Sequence, residues 1–345
     1  MKQLNILNAV IFILLISNTS TAETINIKIP DVPEVPKVEA IVPTVNVISN
    51  SSSKTNAQIV EEATRKKEVY FSDHVAPEMM ETTAATEKKI EIGDIKDGRV
   101  TAYLHAPFMS TKDVTKTLES AGFTILATFK VDKKGSATSI TFTNAELQEA
   151  AAKNMRGFAG ALRITVDKKN KLLSISNPIY MLGAFMQEEY DAALAEKTLA
   201  TLRNSFKDLK NSQEIIKFRV LERFQFMEGM PRYADMQIIK KASNAALLAS
   251  AKKSKKIVYE QRLENGAVVI GVKLGKRTSK FIKKTGYQNA GLLPYPVLIE
   301  NGEAKILDPK YYISVMYPML KMSQFMKIAT VPGAISKDID KIFRK

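Results

Sequence analysis

One stretch of this 345-residue chain occurs twice, and that repetition limits the folds that the chain can adopt. Residues 159–180 (AGALRITVDKKNKLLSISNPIY) align without gaps to residues 290–311 (AGLLPYPVLIENGEAKILDPKY) at an offset of 131. Eight positions are identical: Ala159/Ala290, Gly160/Gly291, Leu162/Leu293, Val166/Val297, Asn170/Asn301, Ile175/Ile306, Pro178/Pro309 and Tyr180/Tyr311. About one or two identities are expected by chance, so we interpret the chain as a tandem duplication of one unit of roughly 110 residues.

Each copy of the repeated stretch has the pattern of a β-hairpin that ends at a proline. In the first copy apolar residues alternate with polar ones on both sides of a polar turn. In the second copy Asn301-Gly302 is a type I′ turn signal. Together with the helical patterns between the strands, this predicts an α+β protein of two tandem two-layer sheet-and-helix units, at residues 97–210 and 211–345.

Further elements are predicted around the hairpins. Ser110 has the place of an N-cap before a helix that carries Val114 and Leu118 on one face. In the second unit, the apolar run at residues 218–226 predicts a strand, and residues 234–251 predict a helix.

Several short motifs in both units resemble the domain of unknown function 302 family. These motifs are Gly122-Phe123 and Asn177-Pro178 in the first unit, and Gly291-Leu-Leu-Pro294 and Asp308-Pro309 in the second. The first unit departs from the family pattern at Arg163, where Ala-Leu-Arg replaces Leu-Leu-Pro. The resemblance covers residues 97–345 and implies a two-layer fold that tends to pair, hence a monomer with an internal pseudo-dimer or a homodimer. It implies no activity, and the divergence of the copies indicates that only one retains a site.

The N-terminal quarter of the chain has the pattern of an exported protein. Residues 1–22 combine Lys2, an apolar run and a small-residue cleavage site, which predicts a signal peptide and a periplasmic or otherwise extracytoplasmic location. The apolar run is shorter than the roughly 20 residues that span a bilayer, although an uncleaved anchor is the alternative. Residues 23–96 form a Pro/Ser-rich and charged linker region, either a tether or plain disorder.

Composition excludes several classes of chemistry. The chain has no Cys and only two histidines, His74 and His105. Thiolate catalysis, disulfides and cysteine-ligated zinc or iron–sulfur centres are therefore excluded. No nucleophile-elbow motif supports a hydrolase, and we expect no cofactor and no metal site. The enzyme alternative would use polar groups beside Asn177 and Asp308, where the hairpins end.

Positive charge is concentrated in the second unit. From residue 241 onward the chain has 20 Lys and Arg against 7 Asp and Glu, a net +13 of the whole-chain +15. A dense basic cluster is formed by Lys273, Lys276, Arg277, Lys280, Lys283 and Lys284. Such a cluster is either a solvated face or a site for an anionic small molecule, an acidic lipid surface or an envelope polymer. Export and few interleaved aromatics argue against nucleic acid.

Methionines follow the basic cluster at helical spacing. Met316, Met319, Met322 and Met326 are predicted on one face of a helix, as an adaptable apolar groove or as core. Copper(I) binding by thioethers is the less favoured alternative.

The sequence thus favours a non-catalytic binding protein for an anionic or amphipathic ligand. The candidate site comprises the six cations of the basic cluster with Asp308, Met316 and Met319. A tethered envelope scaffold is the third hypothesis, in which deletion of residues 24–56 would disturb function but not folding.

Overall fold

The computed structural model describes residues 90–344, which belong to one compact unit that begins at Ala85. The predicted signal peptide, nearly all of the predicted linker, and His74 lie outside the described residues. Within the described part of the chain, no helix is long and apolar enough to cross a bilayer.

The described residues contain short strands and helices in alternation. The strands are β1 Arg99–Thr101, β2 Tyr103–Pro107, β3 Thr124–Lys130, β4 Ala137–Thr143, β5 Leu162–Asp167, β6 Leu172–Ser176, β7 Lys210–Asn211, β8 Ile215–Lys217, β9 Gln237–Lys241, β10 Ile257–Arg262, β11 Val268–Val272, β12 Tyr295–Glu300 and β13 Glu303–Ile306. The α-helices are α1 Thr111–Ser120, α2 Ala145–Ala151, α3 Pro178–Met186, α4 Ala192–Ser205, α5 Asn244–Lys253, α6 Ile282–Thr285, α7 Pro309–Met316, α8 Met322–Met326 and α9 Val331–Asp340. The 3₁₀ helices are Gly157–Gly160, Gln187–Glu189, Phe218–Val220, Thr278–Phe281 and Tyr287–Leu292.

Two antiparallel sheets have the same order of strands. The first sheet runs β3-β4-β5-β6-β2-β7 and the second β10-β11-β12-β13-β9. In each, five consecutive strands of the chain share one order, in which the first of the five lies beside the last; in the first sheet the short strand β7 adds to the edge at β2. A helix, α1 or α5, follows that first strand. The α+β class is confirmed, and the shared topology is what a duplication of one unit requires.

The two sheets also share a β-bulge. The register shifts between Ile125 and Ala127 in the first sheet and between Ile257 and Tyr259 in the second. In both cases the irregularity is in the strand that follows the first helix. Bulges are designed features of a fold, so their matching places support a common origin.

The hairpins differ in length, which corrects the gapless alignment. Asp167 pairs with Leu172 around a longer turn, whereas Glu300 pairs with Glu303 around Asn301-Gly302 alone. The second turn is thus two residues shorter. The strands before the turns therefore correspond at an offset of 133, as in Asp167 and Glu300, whereas the strands after the turns correspond at 131, as in Leu172 and Glu303. A shift of two leaves every side chain on the same face of a strand, so residues that the gapless alignment matches still face the same way.

Two predicted elements of the second repeat are wrong. Residues 218–226 are not a strand: they begin with the 3₁₀ helix Phe218–Val220, in which Phe218 and Leu221 pack against Gly183. Apolar residues at every third position suit a 3₁₀ turn. Residues 234–251 contain strand β9 and then α5, because Ser243 caps the helix by accepting a bond from the Ala246 N–H.

The predicted cap of the first helix is confirmed. Ser110 Oγ accepts a bond from the Asp113 N–H at 3.2 Å, and Val114 and Leu118 are fully buried. On the first sheet, Ile140 and Ile164 are also fully buried and belong to the same core. The outer face of this sheet is therefore the apolar one.

Matching tyrosines connect the two repeats. The Tyr180 hydroxyl donates to the Val315 carbonyl at 2.6 Å, and the Tyr311 hydroxyl donates to the Ala184 carbonyl at 3.3 Å. Both members of these bonds are related by the same offset of 131, so the repeats contact each other reciprocally, as in an isologous interface. The internal pseudo-dimer stays a prediction, which these contacts support.

Candidate functional site

The basic cluster lies on one exposed segment. The six cations of this cluster are all exposed, and none forms a salt bridge with the described residues. The segment is anchored from beneath by buried Phe281 and Ile282. The Asp338 carboxylate also holds it by accepting from the Gly275 N–H at 2.9 Å and the Thr278 hydroxyl at 2.6 Å. The cations thus stand on a fixed backbone with their charges open to solvent.

The methionines do not share one helical face. Helix α7 ends at Met316, α8 begins at Met322, and Pro318 between them interrupts the helix. Met316 is 1% exposed and belongs to the core, whereas Met319, Met322 and Met326 are 54%, 39% and 62% exposed. The predicted stripe is therefore wrong for Met316 and leaves three exposed thioethers around α8.

The exposed methionines adjoin the basic cluster. Lys284 Nζ donates to the Lys327 carbonyl at 2.8 Å, which joins the two segments at the surface. Residues 273–290 and 316–330 contain eight cations and no acidic residue. We call this surface the basic–methionine surface, and it comprises Lys273, Lys276, Arg277, Lys280, Lys283, Lys284, Met319, Lys321, Met322, Met326 and Lys327.

Asp308 and Asn177 are helix caps. Asp308 accepts from the Lys310 N–H at 2.8 Å and from Gln237 Nε2 at 2.6 Å. Asn177 is fully buried, accepts from the Ile179 N–H, and donates to two carbonyls. Their polar atoms are engaged in hydrogen bonds that hold the fold.

A second feature lies inside the molecule. The inner face of the first sheet is polar, although five of its six polar residues are buried and His105 is half-buried. We call it the polar inner face, and it comprises His105, Ser139, Thr141, Arg163, Thr165 and Ser174. Each of these residues has a side-chain nitrogen or oxygen that is buried and makes no hydrogen bond within the described structure. Buried polar groups without partners are rare in folded proteins, so their concentration on one face calls for an explanation.

Arg163 lies on this face without a counterion. Its side chain is 5% exposed, its Nη2 contacts the Tyr259 hydroxyl at 3.3 Å, and its Nε makes no hydrogen bond. No carboxylate of the described residues forms a salt bridge with it. The Tyr312 hydroxyl is also buried and unbonded, and burial raises the pKa of Tyr312 to about 12. This phenol is consequently a protonated donor at neutral pH.

The second repeat covers the polar inner face. A Cβ built on Gly291, in the 3₁₀ helix Tyr287–Leu292, would lie 3.7 Å from Thr165 Oγ1 and 3.9 Å from Arg163 Cβ. The Tyr103 hydroxyl, from the same face, donates to the Met316 carbonyl at 2.8 Å. The unpartnered groups are thus enclosed between the two repeats.

The 3₁₀ helix of the first repeat makes a polar contact at Gly160, where an added Cβ would lie 3.1 Å from Gln261 Nε2, and an apolar contact at Gly157. A Cβ built on Gly157, in the 3₁₀ helix Gly157–Gly160, would lie 2.6 Å from Leu298 Cδ1 and 3.0 Å from Val269 Cγ2. Val269 of β11 pairs with Leu298 of β12, and Ser139 of β4 pairs with Thr165 of β5. These two strand pairs have the same place in their sheets, next to the pair that contains the bulge. The second sheet is therefore apolar at the two positions where the first has Ser139 and Thr165, although Gln261 and Lys305 are buried on the same face.

The sequence showed Arg163 only as a departure from the family pattern. Arg163, Thr165 and Asp167 alternate with apolar residues, and such alternation ordinarily marks a solvent-facing side of a strand. A polar face of a strand that another repeat covers has the same alternation, so the sequence alone does not distinguish the two cases. His105 lies within β2, opposite Ser174.

Comparison of this chain with protein-family models, with curated proteins and with solved structures found no match. Among the described residues, no three His, Cys, Asp or Glu side chains lie close enough to hold a metal ion.

Proposed function

We propose that this chain is an exported, non-catalytic binding protein that docks on an anionic lipid surface through its basic–methionine surface. The observation that carries the proposal is that the Lys284–Lys327 bond joins the segment with three exposed methionines to the basic cluster, and that the two segments together contain eight cations. Glu214, from outside both segments, accepts from the Met319 N–H at 2.9 Å. Cations and apolar side chains at one surface are the combination by which peripheral proteins bind the headgroup region.

The charges favour this partner because none of them is paired with a carboxylate of the described residues. The six cations of the basic cluster have no salt bridge with the described residues, so their attraction is available to phosphate headgroups. Near an anionic membrane each Lys or Arg contributes about 1 kcal/mol. Long basic side chains can also place their methylene stems along apolar surface while their charges reach the headgroups.

The methionines distinguish a lipid surface from the other anionic partners. A free phosphate or an acidic polymer would use the cations and leave Met319, Met322 and Met326 in water. A bilayer takes up such flexible apolar side chains at the boundary between headgroups and acyl chains. We therefore assign the surface to lipid.

The test measures cosedimentation of the full chain with vesicles of phosphatidylcholine, alone or mixed with phosphatidylglycerol. We expect binding only to the mixed vesicles, with an affinity that falls as salt is raised. The charge-reversal variant replaces Lys276, Arg277, Lys280 and Lys283 by Glu. At about 1 kcal/mol per lost cation, it should bind at least a hundredfold more weakly and with a flatter salt dependence.

A matched control removes the same charge from the first repeat, by Lys112→Glu, Lys116→Glu, Lys130→Glu and Lys207→Glu at exposed positions. It should retain most of the binding. A third variant, with Met319, Met322 and Met326 replaced by Ser, should lose the binding that persists at high salt. Equal binding by the charge-reversal variant and the wild type would refute the assignment, and equal losses in both charge variants would reduce it to an effect of net charge.

A further inference from the structure

We infer that the polar inner face is a binding site for a small oxyanion, a carboxylate or phosphate group, with Arg163 as its central ligand. This site lies between the repeats and is independent of the proposed docking on lipid. Its recognition chemistry comes from a guanidinium, a phenol and hydroxyl groups, all buried.

The first step is the missing counterion. A buried charge is stable in a protein when it is paired and hydrogen-bonded. The Arg163 guanidinium cannot lose its proton to avoid the problem. Its contact with a neutral phenol, Tyr259, uses one of its donors and supplies no negative charge. A bound oxyanion would accept from the remaining donors of the guanidinium and neutralise it.

The second step is the set of groups around the guanidinium. Thr141 pairs directly with Arg163 across the sheet, and Thr165 follows Arg163 on the same face of β5. The hydroxyls of both are buried without a partner, as is that of Tyr312. Each can donate to an oxygen, and together with Arg163 they form the donor-rich surrounding that a carboxylate or phosphate requires.

The third step is the comparison between the repeats. The second sheet uses Val269 and Leu298 where the first uses Ser139 and Thr165, and it packs against the 3₁₀ helix of the other repeat all the same. Hydroxyl groups at these two positions are therefore not needed for the sheet to pack against that helix. Buried hydroxyl groups without hydrogen-bond partners lower the stability of the first repeat, and a ligand that accepts hydrogen bonds from them would explain why they are there.

The site is suited to a small ligand. Arg163 retains only 5% of its surface, and Gly291 of the second repeat approaches both Arg163 and Thr165. A polymer or a membrane surface cannot reach it in this conformation. The bound group is thus inorganic phosphate or the anionic end of a small metabolite.

The test uses inorganic phosphate and acetate as probes with the full chain, at constant ionic strength maintained with NaCl. Thermal unfolding is measured at increasing probe concentration. We expect at least one probe to raise the Tm of the wild type in a saturable manner, since a ligand stabilises the state that binds it. Phosphate and acetate are separate arms, so the better stabiliser identifies the class of oxyanion.

Two variants locate the effect. Arg163→Gln should lose the response and, without probe, should unfold at the same or a higher Tm, because it removes an unpaired buried charge. Lys276→Gln removes an equal charge from the exposed basic cluster and should respond as the wild type does. Thr165→Val, which keeps the charge, should raise the probe concentration at half-saturation several-fold.

The proposal is overturned if neither probe gives a saturable rise in the wild type, or if Arg163→Gln retains the response. It is also overturned if Arg163→Gln fails to fold or loses stability without probe, since the guanidinium would then serve the fold itself. Loss of vesicle binding in the docking experiment would leave this result unaffected, because the two sites share no residue.

Discussion

Replacement of the two helix caps that match in the repeats should have very different consequences for stability. Asn177→Ala removes the cap bond from the Ile179 N–H and the bonds that Nδ2 donates to the Gly93 and Thr101 carbonyls, at 3.1, 2.8 and 2.8 Å. A lost N-cap costs about 1 kcal/mol, and each buried hydrogen bond costs about another 1 kcal/mol. We therefore expect the free energy of unfolding to fall by about 3 kcal/mol.

The matched variant is Asp308→Ala. Asp308 caps α7 at a half-exposed position, and its second bond comes from Gln237, which water can replace. The expected loss is about 1 kcal/mol, the cost of one cap. Asn177→Asp provides a further comparison, because it keeps the cap oxygen but places a carboxylate against two carbonyls. It should cost at least as much as Asn177→Ala.

The assay is urea unfolding followed by tyrosine fluorescence and far-UV circular dichroism, since the chain has no Trp. The difference of about 2 kcal/mol should move the midpoint of unfolding with little change in the m-value. Equal losses at the two positions would show that the buried bonds of Asn177 contribute little.

Two more predictions concern the interior. Burial lowers the pKa of His105, so below a pH of about 6.5, the usual His pKa, the unfolded chain binds a proton that the folded imidazole does not. The free energy of unfolding should therefore fall as the pH drops below that value. His105→Asn should flatten this pH dependence in urea titrations, and an unchanged slope would contradict the prediction. Gly271→Ala would place a Cβ 2.0 Å from Tyr259 Cε1, and displacement of the ring should lower the free energy of unfolding by about 1–3 kcal/mol, as measured by thermal unfolding. The control Gly333→Ala, with open space around it in α9, should stabilise the protein slightly. Equal effects of the two substitutions would contradict the close packing of Tyr259 against Gly271.

The α+β class and most local elements could be predicted because they depend on signals close together in the chain. The Ser110 cap and the Asn301-Gly302 turn each involve only a few neighbouring residues. The strand β9 could not be predicted in this way. Its residues pair with β13, which is more than sixty residues away in the chain, and that pairing outweighs the local helical pattern.

The candidate sites show the same division. The exposure of the basic cluster follows from its composition, since six cations within a dozen residues cannot be buried together. The place of Arg163 does not follow, because its strand has the alternation of a half-exposed sheet. Only the packing of the second repeat on that side turns a polar face into an interior one.

The reciprocal contacts of Tyr180 and Tyr311 are of the kind that two identical subunits would make. In a dimer of identical subunits every mutation occurs in both subunits, so a buried arginine in one subunit would be accompanied by the same arginine in the other. A single chain removes this constraint: Arg163 pairs with Thr141 at the place where Pro296 pairs with Gly271. A single chain thus allows one repeat to carry Arg163 while the other has Pro296 at the matching place.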